Sequence, residues 1–212
     1  MDEQMRQITE NRRGIYRLLG RLYIKEVDQE LLDMLVKMQF PTACADEELE
    51  EGYRLLEESL KNISGDFLDD LAVDYARVFL SAGVAQGMAA FPYESVYTSK
   101  KRLMMQDSRN SVAALYGAEG LKPGKDMFRA PEDHVGLELE FMAHLCEKSL
   151  AGDPLGEEEQ RTFLKTHLLN WIYVFTSEVI KYAQTDFYKA LGKITRGFMN
   201  LERSFLEEQR QL

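Results

Sequence analysis

Cysteine and histidine are scarce in this chain: two cysteines and three histidines in 212 residues. Cys44 and Cys146 stand far apart and in no Cys-x-x-Cys spacing, which excludes a disulfide framework and a zinc ribbon. Reduced, unpaired thiols suit the cytoplasm. No apolar run approaches the roughly 18–20 residues that span a bilayer. The opening MDEQMRQITENRR is polar and lacks the apolar core of a signal peptide. The expectation is a cytoplasmic protein with no membrane span. Basic charge is also short: 26 Lys+Arg face 36 Asp+Glu, for a net charge of −10. A basic face for phosphate is therefore missing, and nucleic acid is excluded as the main partner. A cationic ligand would suit the acidic balance.

Strand signals are absent too. No run of alternating β-branched residues appears, and no Asn-Gly or similar dipeptide joins two such runs. Helical periodicity is abundant instead. Ile8, Ile15, Leu18, Leu19 and Leu22 share a face in the first segment. Asp28 caps a second through Leu31, Leu32, Leu35 and Met38, which ends at Phe40-Pro41. Asp46 opens a third and Asp66 a fourth, the latter carrying Leu68, Leu71, Tyr75, Val78 and Phe79 on one face. A helix over 94–107 and a short one over 111–116 follow. Pro131 to Leu150 reads as helix, with Pro131 in its first turn. Leu164, Leu168, Trp171, Ile172, Phe175, Val179 and Tyr182 make one stripe of about five turns at 3.6 residues per turn. Thr185 or Asp186 caps the last helix. The prediction is an all-α fold, a single globular helical bundle over 1–212. Irregular connections lie around 81–92 and 117–130, the latter a candidate hinge between two helical subdomains.

The common catalytic motifs are missing. The segment Gly120-Leu121-Lys122-Pro123-Gly124-Lys125-Asp126 has three residues between its glycines where a phosphate loop has four. Its Asp126 also stands where Ser or Thr would hold magnesium. Di-iron bundles need Glu-x-x-His pairs, but Pro131, Phe141 and Leu164 precede the three histidines by three positions. Neither a zinc-protease His-Glu-x-x-His nor a Gly-x-Ser-x-Gly elbow occurs. No cofactor is expected.

Two stretches do carry chemistry. In 130–142, projection at 100° per residue sets His134 within a broad apolar face and Glu138 one turn above it. A carboxylate and an imidazole on a core side need hydrogen-bond partners. Three roles remain open for them: a structural pair, a binding site, or acid–base chemistry. In 74–97, Tyr75, Val78, Phe79 and Tyr93 flank a Gly/Ala connection, either as core or as the lining of an apolar groove.

The Tyr-x-x-x-Phe helix end (Tyr75 to Phe79), Pro-Tyr-Glu-Ser-Val-Tyr (92–97) and Pro-Glu-Asp-His followed by Glu-Leu (131–139) resemble the TorD/DmsD/NarJ family. Those proteins are redox-enzyme maturation chaperones. Thr-Asp-Phe-Tyr-Lys-Ala-Leu (185–191) also looks like that family's last helix, and the likeness runs from about residue 10 to 205. The family often has Glu-Pro-x-Asp-His, where this chain has Ala130 in first place. The resemblance implies a non-enzymatic cytoplasmic chaperone. It would bind the twin-arginine leader of a molybdopterin-dependent oxidoreductase and assist that catalytic subunit before export. By carry-over, Tyr75, Val78, Phe79, Pro92, Tyr93, Glu94, Ser95, Asp133 and His134 border a peptide groove. Glu132, Glu94 and Asp133 would face guanidinium groups, and Glu138 completes the candidate set. Some relatives are reported to form domain-swapped dimers or to bind guanine nucleotide; no motif here serves the second. Loss of Asp133 or His134 is expected to weaken leader binding while leaving melting largely unchanged. The alternatives are an all-α enzyme using His134 with Asp133 or Glu138 as general base, and a helical scaffold without a groove.

Overall fold

The computed structural model describes residues 1–83, 88–121 and 130–208. The described residues are helical with no strand, as the periodicity predicts: α1 (Glu3–Ile24), α2 (Gln29–Lys37), α3 (Glu47–Lys61), α4 (Phe67–Leu80), α5 (Glu94–Thr98), α6 (Asp107–Ala118), α7 (Val135–Leu150), α8 (Gly156–Thr166), α9 (Ile172–Tyr182) and α10 (Asp186–Glu208). A 3-10 turn, Leu168–Asn170, joins α8 to α9. None of these helices is long and apolar enough to cross a membrane. The helices form two compact units, one drawn from Met1–Ile24 and Pro92–Trp171, the other from Lys25–Phe91 and Ile172–Glu208. Residues 117–130 fall inside the first unit, and 122–129 of them lie outside the described residues. So do 84–87 of the 81–92 connection.

In the first unit α1 packs along α7. Tyr16, Leu19, Leu22 and Tyr23 are buried from α1, and Leu139, Met142, Leu145 and Cys146 from α7. The two helices close on glycines: a Cβ on Gly136 would stand 2.8 Å from the Gly20 carbonyl oxygen. A larger residue at either position would force the helices apart.

In the second unit α10 lies beside α3, α9 and α4. Tyr75, Phe79, Phe175 and Tyr188 form an aromatic core, with Phe79 edge-on to Tyr188 at 5.6 Å between centroids. Local capping matches expectation: the Asp28 carboxylate accepts from Leu31 N at 3.0 Å and Asp46 from Leu49 N at 3.0 Å. Asp66 precedes α4 but makes no side-chain cap bond.

Four expected boundaries are corrected. The helix foreseen over 94–107 stops at Thr98, because Arg102 (φ 51°) and Met105 (φ 62°) adopt left-handed backbone that no α-helix admits. α6 then starts at Asp107, four residues before the expected Ser111. The long stripe over 164–182 is broken between Thr166 and Ile172, where His167 and Trp171 leave helical geometry. Finally, Pro131 sits in a turn and not in a helix, since α7 begins only at Val135.

Candidate functional site

The two central sequence motifs meet in the first unit. Tyr93 and His134 form an isolated antiparallel bridge. Glu94 N donates to Asp133 O at 3.0 Å, and Val135 N donates to Pro92 O at 2.9 Å. Backbone pairing thus clamps residues 92–95 to 131–135 and explains why Pro131 cannot start the helix.

Side chains then cap the helices on either side of this bridge. Asp133 Oδ2 accepts from Ser95 N at 2.9 Å, in the first turn of α5. His134 Nδ1 accepts from Gly136 N at 3.0 Å, as the N-cap of α7. An accepting Nδ1 requires a neutral ring with its proton on Nε2. Burial agrees, pushing the His134 pKa down to about 4. Tyr93 lies edge-on to that ring at 5.2 Å and is half-buried.

Behind the bridge sits a group of buried acids. Asp133 and Glu138 are 0% exposed and Glu94 3%. Glu94 Oε2 pairs with His167 Nδ1 at 2.8 Å, and His167 Nε2 lies 3.4 Å from Ser111 Oγ. Glu138 Oε2 accepts from Trp171 Nε1 at 3.2 Å, and Trp171 stacks on Tyr97. These two contacts account for the break between α8 and α9. A continuous helix would carry the imidazole and the indole past the carboxylates that need them.

Satisfaction is incomplete. Asp133 Oδ1, Glu138 Oε1, Ser95 Oγ and Tyr116 Oη are buried with no hydrogen-bond partner. Burial raises the Asp133 carboxyl above its ordinary value against the donor at Ser95, and nearby Glu94 adds to the rise. Glu138 is pushed up much further, first by burial and then by Glu94. Burial, followed by the negative charge of Glu138, likewise lifts the Tyr116 hydroxyl. The protonated forms are therefore favoured in a pocket of like-signed groups.

Glu132 has a different fate. Its carboxylate is gripped by Arg109 through two bonds, Nε to Oε2 at 2.5 Å and Nη2 to Oε1 at 2.7 Å. That fork–fork pair occupies the acid that the sequence reading offered to a guanidinium. Pro92, Glu94, Ser95, Asp133, His134 and Glu138 are all buried in this unit, with Tyr93 and Glu132 at its margin. Tyr75, Val78 and Phe79 belong to the other unit, where they are buried as core. Capping roles for Asp133 and His134 also change the expected cost of removing them: either truncation would now unsettle a helix start. His167, Trp171, Tyr116 and Arg109 were not singled out from sequence. The available signal is a polar-tipped His and Trp four residues apart inside a largely apolar stretch. Among the described residues, no group of three or more His, Cys, Asp or Glu side chains is placed to hold a metal ion.

Comparison with known proteins bears on this arrangement. The family model described as nitrate reductase delta subunit matches residues 42–177. Chaperone protein TorD of Shewanella pealeana is 28% identical over 218 residues, covering 97% of this chain and 94% of that one. The protein of the same name from Vibrio cholerae is 26% identical over 219 residues, covering 98% and 97%. That from Vibrio vulnificus is 27% identical, covering 97% and 99%. A solved redox enzyme maturation protein from Archaeoglobus fulgidus overlays at a TM-score of 0.49 with 20% identity, covering 92% of this chain and 93% of that one. With well over half of its length inside the matching model, the chain belongs to the nitrate reductase delta subunit family, the TorD/DmsD/NarJ group of chaperones.

Proposed function

We propose that the protein is a cytoplasmic chaperone for a molybdopterin-dependent oxidoreductase, binding its twin-arginine leader beside the Tyr93–His134 bridge and holding back export until the cofactor is inserted. Relatives named as chaperones align along nearly the whole chain, which supports the general reading. One structural observation carries the specific reading: Asp133 keeps a buried carboxyl oxygen without a donor and Glu138 is left against a second carboxyl, that of Glu94, beside a backbone bridge of only a few bonds. A buried acceptor left unpaired is costly, and a guanidinium brings five donors and a permanent charge. Entry of one arginine would bring donors to both acids and favour the ionised forms that burial disfavours. Tyr93, at the margin, would cover the incoming side chain, while Glu94 and Ser95 hold the wall. The reading assigns leader contacts to 92–95 and 131–138 and leaves Tyr75, Val78 and Phe79 as core.

An enzymatic use of His134 as general base is disfavoured by its own environment. Its Nδ1 is occupied by Gly136 N, and a pKa of about 4 makes a weak base at neutral pH.

Calorimetry with the full chain and a synthetic leader of the host's oxidoreductase tests the proposal. The Arg-Arg peptide should bind. Its Lys-Lys version should bind at least about tenfold more weakly, because an ammonium cannot make a forked contact. Tyr93→Ala should weaken the Arg-Arg peptide without changing helicity. Equal binding of both peptides would remove the guanidinium site, and no binding at all would favour a plain scaffold.

A further inference from the structure

The turn between α5 and α6 has no part in the site above, and its chemistry is unlike the rest of the chain. Residues 100–105 read Lys-Lys-Arg-Leu-Met-Met, three cations followed by three large apolar side chains in a protein of net charge −10. Leu103, Met104 and Met105 are 54%, 37% and 55% exposed, and Lys100, Lys101 and Arg102 are exposed as well. The nearest acid along the chain is the exposed Asp107, at the start of α6.

The turn holds a definite shape. Arg102 N donates to Ser99 O at 3.1 Å, Leu103 N to Ser99 Oγ at 3.4 Å, and Gln106 Nε2 to Met104 O at 2.9 Å. Within it Arg102 and Met105 both carry positive φ, a region disfavoured for any residue with a Cβ. Glycine would relieve both positions, yet neither is glycine. Local bonds and strained backbone thus hold an apolar tip toward water, at a cost that folding alone does not explain.

We propose that this turn is a surface anchor for anionic lipid. A stable protein–protein contact takes roughly 800 Å² from each partner, far more than six residues supply. A lipid interface takes small convex elements: Leu and Met enter the acyl boundary while Lys and Arg stay among the headgroups. Charge complementarity holds locally despite the acidic whole. At physiological ionic strength the Debye length is about 8 Å, so Lys100 and Lys101 govern contact with the surface and distant carboxylates are screened.

Cosedimentation of the full chain with vesicles tests this. Equal parts phosphatidylglycerol and phosphatidylcholine should retain the protein, and phosphatidylcholine alone should not. Leu103→Ser with Met105→Ser, and separately Lys100→Glu with Lys101→Glu, should each lower retention at least about tenfold. Both double variants replace exposed residues, so helicity and affinity for the Arg-Arg peptide should be unchanged. Failure of the parent to bind anionic vesicles overturns the anchor, as does retention of both variants at the parent's level. Capture of the parent by a poly-glutamate peptide but not by vesicles would likewise reject lipid in favour of an acidic protein segment. None of these outcomes touches leader binding, so the two proposals fail separately.

Discussion

Asp74 in the second unit and Asp133 in the first are both buried acids whose carboxylates accept from backbone at the start of another helix, and they differ in how fully they are satisfied. Asp74 Oδ2 accepts from Gln184 N at 3.0 Å, Thr185 N at 2.7 Å and Thr185 Oγ1 at 2.6 Å, while Oδ1 takes Arg77 Nη2. Arg77 in turn donates to Tyr182 O at 2.7 Å. That carboxylate ties α4 to the end of α9 and the start of α10, with neither oxygen left over. Asp133 Oδ2 accepts from Ser95 N, while Oδ1 has no hydrogen-bond partner. A saturated buried acid is a structural device. One left half-saturated has room for a ligand.

The sharpest way to break the contrast is Asp74→Ala. It would orphan two backbone N–H groups, the Thr185 hydroxyl and a partly buried guanidinium at once. Loss of one partner of a buried pair typically costs about 3–5 kcal/mol. The thermal midpoint should fall by on the order of 10 °C for a chain of this size. Leader affinity of the folded protein should be unaltered. A small loss in melting would show that Asp74 is no more than another surface-grade acid, and the comparison would lose its reference.

Asp133→Asn should behave in the opposite way. The amide oxygen can still accept from Ser95 N, so stability should move by less than about 1 kcal/mol in either direction. The group that could ionise against a guanidinium is lost, and an NH2 can replace the bare oxygen, facing the incoming guanidinium with a donor. Affinity for the Arg-Arg peptide should drop at least about tenfold. Unchanged affinity beside a large melting shift would place Asp133 with Asp74.

How much of this could be read in the chain depended on the range of the interaction. Caps at Asp28 and Asp46 act on backbone three residues away, and the sequence alone located them. The helical class followed from apolar periodicity for the same local reason. His167 and Trp171 escaped because their partners, Glu94 and Glu138, lie 73 and 33 positions away. Their polar tips stand out in the 164–182 stretch, but spacing alone does not say that both must leave the helix to reach those partners. The end of α5 escaped for another reason: Arg102 and Met105 take a backbone region that neither residue type favours. The Pro-Tyr-Glu-Ser and Pro-Glu-Asp-His stretches were legible as chemistry and are joined by the bridge, yet Arg109 as the keeper of Glu132 was not. Periodicity sets His134 on a helix face, whereas the structure makes it the cap of α7, with a large consequence for its role.

The smallest effect expected is on pH dependence, and Glu138 is the residue to read it from. Burial raises its carboxyl well above the usual value, so the folded chain holds a proton that the unfolded chain releases. Its contribution to stability is fully present below the ordinary carboxylate range and is lost as pH rises toward the raised value. His134 acts at lower pH. With its folded pKa near 4, below the usual 6.5, stability falls as the medium is acidified through that window. Glu138→Gln keeps an acceptor for Trp171 Nε1 and mimics the protonated acid. As pH rises above the ordinary carboxylate range the stability of the parent should therefore decline more steeply than that of the variant, by at most about 1.4 kcal/mol per pH unit, the limit for one proton. Below the ordinary carboxylate range the two curves should run parallel, since both states hold the Glu138 proton there and His134 is common to both. Addition of the Arg-Arg peptide should flatten the parent's curve toward the variant's, because a bound guanidinium stabilises the ionised carboxylate. Parallel curves across the whole range would mean that Glu138 is ionised in the fold, with Trp171 a sufficient partner and no vacancy left for a cation.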